Sequence, residues 1–156
     1  MIVFTKIKEF LDSNNCEYVV KKHPPTRTSE EAAQYRGESL KIGAKALVLK
    51  GKEGFFLCVI PADRKLYTKK VRKVMGTKKL RFATPEELFE LTGLVPGSVP
   101  PFGTILGLQM IVDEKLFEEE FMAFNAGELA ISIKMKTEEY RKIVAPDVES
   151  ISLQIE

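Results

Sequence analysis

Apolar residues recur at three- and four-residue spacing near the start of the chain. Val3, Ile7, Phe10 and Leu11 share one face of residues 3–14, which predicts a helix stopped by Asn14-Asn15. A short β-branched run at 17–21 predicts a strand, and Pro24-Pro25 forces an extended turn after it. Thr28 and Ser29 followed by Glu30 and Glu31 offer a cap with acids in the first turn, so 30–36 reads as helix. Residues 46–49 and 55–60 are apolar without alternation and flank a turn at 51–54. That pattern predicts a central hairpin covered on both faces. Residues 68–75 read as a basic helix ended by Gly76, and 79–82 as a short strand. In Thr84-Pro85-Glu86-Glu87 the threonine caps, the proline suits the first helical position and Glu87 can return the cap, so a helix runs from there to Gly93. Residues 110–112, 121–124 and 130–135 read as strands with a turn at 125–127. Residues 137–143 read as a short capped helix and 148–155 as one alternating final strand. The sum is an α+β fold, a central mixed or antiparallel sheet with peripheral short helices. No repeat, low-complexity tract or linker interrupts it, so a single domain over 1–156 is expected.

Composition changes this picture little. The apolar fraction is 44% and the charged fraction 29%, ordinary for a globular chain. No apolar run approaches the roughly 18 residues of a membrane span. Charges at Lys6 and Lys8 break up the apolar start, unlike a secretory leader. A cytoplasmic protein with no membrane partner is the expectation.

Charge adds more. The net charge is only +2, yet 64–81 holds nine basic residues and no acidic one. Such a stretch is the footprint expected for phosphate binding, with Lys69, Lys70, Arg72 and Lys73 as candidate phosphate contacts. Taken alone, a solvated helix face explains it equally well. The soft ligands are few: one histidine, His23, and two cysteines, Cys16 and Cys58, without metal-site spacing. Neither a metal nor an organic cofactor is expected.

The segment 93–103, Gly-Leu-Val-Pro-Gly-Ser-Val-Pro-Pro-Phe-Gly, has three glycines and three prolines in eleven residues. It can be neither helix nor central strand. Proline stiffens it and glycine lets a ligand approach its backbone, so it can hold N–H groups in fixed directions with little ordering entropy left to lose. A tight structural crossover is the alternative use of such a segment.

This Gly/Pro loop closely resembles that of the YbaK family, the prolyl-tRNA synthetase-associated editing domains. Supporting stretches stand in the family's order. They are His23-Pro24 with Thr28-Ser29-Glu30-Glu31-Ala32, Gly43-Ala44-Lys45 leading into 46–50, Ala62-Asp63-Arg64-Lys65, 79–83, Val112-Asp113, and Phe124-Asn125-Ala126-Gly127. The resemblance covers about 17–145. It implies hydrolysis of the ester between a mischarged amino acid and the terminal adenosine of tRNA, with the tRNA acceptor end as partner and a synthetase as a further one. It assigns Lys45 as the family's functional lysine. It also implies a catalytic set of Lys45, Gly93, Gly103 and Asp113, with Pro96, Gly97, Val99, Pro101, Phe102 and Asn125 binding substrate. Backbone donors of the loop would stabilise the oxyanion. A ribose hydroxyl of the substrate would activate water, and Asp113 would act as a base or hold the substrate amine. Many alanine-editing members carry a histidine near the 124–128 turn; none stands here, which leaves the amino acid open. The competing function is a non-catalytic module on the same fold that docks a tRNA end or a synthetase. A nucleotide- or metal-dependent enzyme lacks support, since there is no Walker loop, dinucleotide fingerprint or metal-ligand cluster in the sequence.

Overall fold

The computed structural model describes residues 2–26 and 28–155. Its centre is the predicted hairpin, β2 (Ala44–Gly51) and β3 (Gly54–Pro61), paired antiparallel from Ala44↔Pro61 to Gly51↔Gly54. Strand β3 alternates between two cores. Leu57 and Val59 enter one; Phe56, Cys58 and Ile60 enter the other, and all five are at most 2% exposed. This is why the sequence shows an unbroken apolar run there rather than alternation.

Three further strands complete the sheet around the hairpin. β6 (Gln109–Asp113) runs parallel to β3, and β9 (Asp147–Glu149) runs parallel to β6. β5 (Arg81–Phe82) pairs with β2 only at Leu49 and Lys50. The five-stranded order is β5-β2-β3-β6-β9, a mixed sheet as expected. A second, antiparallel sheet has the order β1 (Tyr18–Lys22), β8 (Ile131–Lys136), β7 (Phe121–Asn125). One bridge, Gly43↔Ala123, joins the two sheets at the start of β2.

The helices cover what the sheets leave apolar. α1 (Ile2–Ser13) buries Phe4, Ile7 and Leu11 in the larger core. α3 (Thr68–Met75) inserts Val71 into the other core and ends on Gly76 at φ 62°. α2 (Ser29–Arg36) starts on a Thr28 cap to the Glu31 N–H and ends on Gly37. α4 (Pro85–Thr92) has the full Thr84–Glu87 capping box and ends on Gly93. Glu87 also takes a bidentate contact from Arg81 at 2.7 and 2.9 Å, which pulls its carboxyl down to about 2. α6 (Thr137–Val144) buries Tyr140, whose hydroxyl donates to the Pro101 carbonyl at 2.6 Å.

Two local readings need correction. The end of the Gly/Pro segment winds into a short helix, α5 (Gly103–Leu106). The expected single strand at 148–155 is two: β9, and β10 (Ser152–Gln154), which pairs with β4 (Arg64–Leu66) instead. Asp113 makes the break. Its carboxylate accepts the Ile151 N–H at 2.8 Å and the Ser152 hydroxyl at 2.7 Å, and it caps the following turn through the Lys115 N–H at 3.2 Å. Ile151 is thereby driven fully into the second core.

Removal of this clamp strands buried donors. Asp113→Ala is expected to lower stability by roughly 2–4 kcal/mol in a denaturant titration. A loss below about 0.5 kcal/mol would contradict the clamp role.

Candidate active site

The Gly/Pro segment divides into two halves with different jobs. Residues 95–98 form a tight turn: the Ser98 N–H reaches the Val95 carbonyl at 3.1 Å, with Pro96 and Gly97 at its corners. Gly97 has φ 88°, the backbone that a type II turn asks of its third residue and that glycine adopts without strain. Ser98 reinforces the turn, its hydroxyl donating to the Val95 carbonyl at 2.7 Å. The second half, 98–103, is buried. Phe102 is fully buried with edge-on contacts to Phe10, Phe124 and Tyr140. A Cβ on Gly103 would sit 2.5 Å from the Leu108 carbonyl, so that glycine answers a packing demand.

A cavity of about 350 Å³ opens beside the turn and along the start of β2. Lys45, Gly97, Val99 and Asn125 line it, four of the residues expected at the site. Asn125 ties the turn to the second sheet by donating from Nδ2 to the Gly97 carbonyl at 2.8 Å. Among the described residues, the amides of Gly97 and Val99 donate to no protein group, while their neighbours' amides are used. Lys45 holds only a long contact, 3.4 Å from Nζ to the Arg64 carbonyl. Arg64 is itself fixed through Nε to Ser152 Oγ at 2.6 Å, the hydroxyl that Asp113 holds. Lys45 shares parity with Leu47 and Leu49, which pack on the α3 side of the sheet. The basic helix is therefore on the same side. Lys69 and Lys73 are exposed there, Lys70 and Arg72 half-buried.

The other expected residues do not converge on this cavity. Asp113 is 1% exposed and saturated by the donors named above, so it is a structural clamp rather than a free base or an amine holder. Gly93 caps α4 at φ 76° and lines a separate groove of about 680 Å³ with Leu91 and Val95. Gly103 and Phe102 belong to the core, and Pro101 is buried with its carbonyl taken by Tyr140. Pro96 is exposed at the tip of the turn. The expected adjacency of Lys45, Gly93 and Gly103 is thus overturned, because the loop's stiffness serves two separate surfaces.

The structure adds residues that were not expected at the site. Arg36, at the end of α2, lines the cavity, as does exposed Glu30 in the first turn of that helix. Ser132 stands behind them. Arg36 Nε donates to its Oγ at 3.0 Å, His23 Nε2 lies 2.7 Å from it, and it donates to Asn125 Oδ1 at 3.2 Å. His23 is stacked on Tyr35 at 5.9 Å between ring centres. Cys58 lies in the core, where burial pushes its thiol up to about 12, and offers no nucleophile. No helix among the described residues is long and apolar enough to cross a membrane.

Known proteins resemble this chain in sequence and fold. A multifunctional Ser/Thr-tRNA deacylase, ProXp-y of Escherichia coli (strain K12), is 32% identical over 152 residues, covering 94% of this chain and 91% of its own. The proline–tRNA ligase of Thermosipho melanesiensis is 32% identical over 106 residues, 68% of this chain and 19% of that much longer one. A solved structure, described as a candidate trans-editing enzyme for prolyl-tRNA synthetase, superposes with a TM-score of 0.83 at 28% identity and 97% coverage of both chains. The family model of the aminoacyl-tRNA editing domain matches residues 23–143. The loop, the span of that match and the shared fold all agree, and the chain belongs to the aminoacyl-tRNA editing domain family, the YbaK type.

Proposed function

We propose that this protein is a trans-acting deacylase that hydrolyses the ester between a wrongly attached amino acid and the 3′ end of tRNA. The observation that carries the reading is one open cavity combining a lightly held lysine, Lys45, with the unpaired amides of Gly97 and Val99. An aminoacyl ester is already activated and asks for little more than orientation and charge stabilisation. The Gly97 and Val99 amides are the donors available to the carbonyl oxygen as it becomes an oxyanion. Their preorganisation comes from the proline-stiffened turn and from Asn125. Lys45 meets a phosphate or carbonyl of the acceptor end as a mobile point charge. Glu30, the one carboxylate lining the cavity among the described residues, suits the substrate ammonium.

Water adds to the ester carbonyl carbon, and the tetrahedral intermediate expels the ribose oxygen. The neighbouring ribose hydroxyl takes the proton from water and relays it to that leaving oxygen, so amino acid and intact tRNA result. No protein base is needed, in keeping with Asp113 being occupied elsewhere. The similarity to a segment of a prolyl-tRNA synthetase supports a synthetase as companion in the same reaction sequence.

Three outcomes follow from this reading. In a deacylation panel of seryl-, threonyl- and alanyl-tRNAs, at least one ester is hydrolysed by the wild type. Lys45→Ala lowers its kcat/KM roughly 10- to 150-fold, the worth of a charge-assisted contact, while the protein stays folded. Full turnover by Lys45→Ala would refute the lysine's role, and a wild type inert on every ester would leave a tRNA-docking module. Charge reversal at Lys69, Lys70, Arg72 and Lys73 weakens binding of all tRNAs alike and flattens the salt dependence of affinity; indifference to both would make α3 a solvated face. Deacylation persists in a chelator, because no cluster of three His, Cys, Asp or Glu among the described residues could hold a metal. Loss restored by zinc would contradict this.

A further inference from the structure

Arg36 lies outside the motifs that carry the family resemblance, yet among the described residues it is the second cation lining the cavity. It is half-buried, and burial lowers its pKa while Glu38 raises it, so it stays charged at neutral pH. Among the described residues its side chain has one hydrogen-bond partner, a neutral one: Nε donates to Ser132 Oγ at 3.0 Å. The nearest carboxylate that acts on it, Glu38, is engaged by Lys134 at 2.6 Å. The two terminal nitrogens of the guanidinium therefore have no acceptor among the described residues. Nη1 hangs over the cavity floor, 3.8 Å from where a Cβ on Gly43 would sit.

A partly desolvated cation with four unpaired N–H groups is costly unless something binds there. Ser132 cannot supply more. Its hydroxyl is already engaged by Arg36, by Asn125 and by His23, whose Nε2 lies 2.7 Å away. The result is an arginine held by its inner nitrogen with its outer edge presented to the cavity. A planar fork of this kind matches a phosphate or carboxylate with two parallel bonds. An aminoacyl ester has no carboxylate, and its free ammonium would be repelled by both Arg36 and Lys45. The anionic groups of the substrate are its phosphates.

We propose that the outer edge of Arg36 binds the phosphodiester preceding the terminal adenosine, with Ser132 as the positioning residue that aims it. This rests on the deacylase reading above. Arg36 thereby fixes how far the 3′ end enters, which places the ester at the Gly97 and Val99 amides.

The test uses two minihelices charged with the panel amino acid that the wild type removes fastest. One has a normal phosphodiester before the terminal adenosine, the other a neutral methylphosphonate. On the first, Arg36→Ala should lose roughly 10- to 100-fold in kcat/KM, mainly through KM. On the second, the difference between Arg36→Ala and wild type should shrink to within about threefold. Ser132→Ala should lose more on the normal minihelix than on the methylphosphonate one, because the part of its loss that runs through Asn125 is the same on both. Arg36→Gln, which can still reach Ser132, gives the same comparison if Arg36→Ala fails to fold. Equal loss on both minihelices, or no loss on the first, would overturn the assignment. A wild type inactive on the whole panel would instead overturn the deacylase reading itself.

Discussion

A strand that is apolar on both faces must be covered twice, and β3 imposes that condition on everything else. Residues 56–60 face two cores in alternation, so no arrangement with one solvent-exposed face can satisfy them. One side is closed by α1, α4, α6 and the second sheet, the other by α3 and the C-terminal segment around Ile151. Burial of side chains this size is worth roughly 1.5–3 kcal/mol each, so the demand outweighs any local preference nearby. The two final short strands illustrate this. A single continuous strand would leave Ile151 outside, whereas the Asp113 clamp turns the chain and buries it.

The cavity lies where this double coverage runs out. β2 has β3 on one edge, but on its other edge β5 pairs only at Leu49 and Lys50. Residues 44–47 therefore keep an open edge, bounded by the Gly43–Ala123 bridge, and all four line the cavity. An open strand edge invites pairing with another chain unless something blocks it. Here α2 and the 95–98 turn stand over it, and the space between them is shaped for a small ligand. Lys45 belongs to that short stretch of β2, which accounts for its weak tie to the protein: it lies beyond the tightly packed centre and meets only the Arg64 carbonyl.

Rigidity around the cavity comes from distant parts of the chain. The turn is stiff by itself through Pro96, Ser98 and the positive φ of Gly97. Its attachment depends on Asn125, which Ser132 orients, while Ser132 also holds Arg36 and His23. On the other side, Asp113, Ser152 and Arg64 form a second chain of contacts that ends at Lys45. Each network is a set of buried or half-buried polar groups that satisfy one another, which keeps the backbone amides near the cavity in fixed positions.

Sequence alone determined the helix caps at Thr28 and Thr84, the glycine stops at Gly76 and Gly93, the two-faced hairpin and the Gly/Pro loop. These depend on interactions within a few residues, or on a periodicity that burial enforces. Lys45 and the Gly97–Val99 turn were singled out because the family's motif carries them. The roles of Gly93, Gly103, Phe102 and Asp113 were misread, since a glycine needed for a cap, a close approach or a ligand looks the same in one dimension. Tertiary structure alone decided the rest. Ser132 and Arg36 meet across 96 positions, Asn125 and Gly97 across 28, Asp113 and Ser152 across 39. Such contacts are set by strand register and by how helices dock on sheets, and both follow from minimising exposed apolar surface over the whole chain rather than from any local signal.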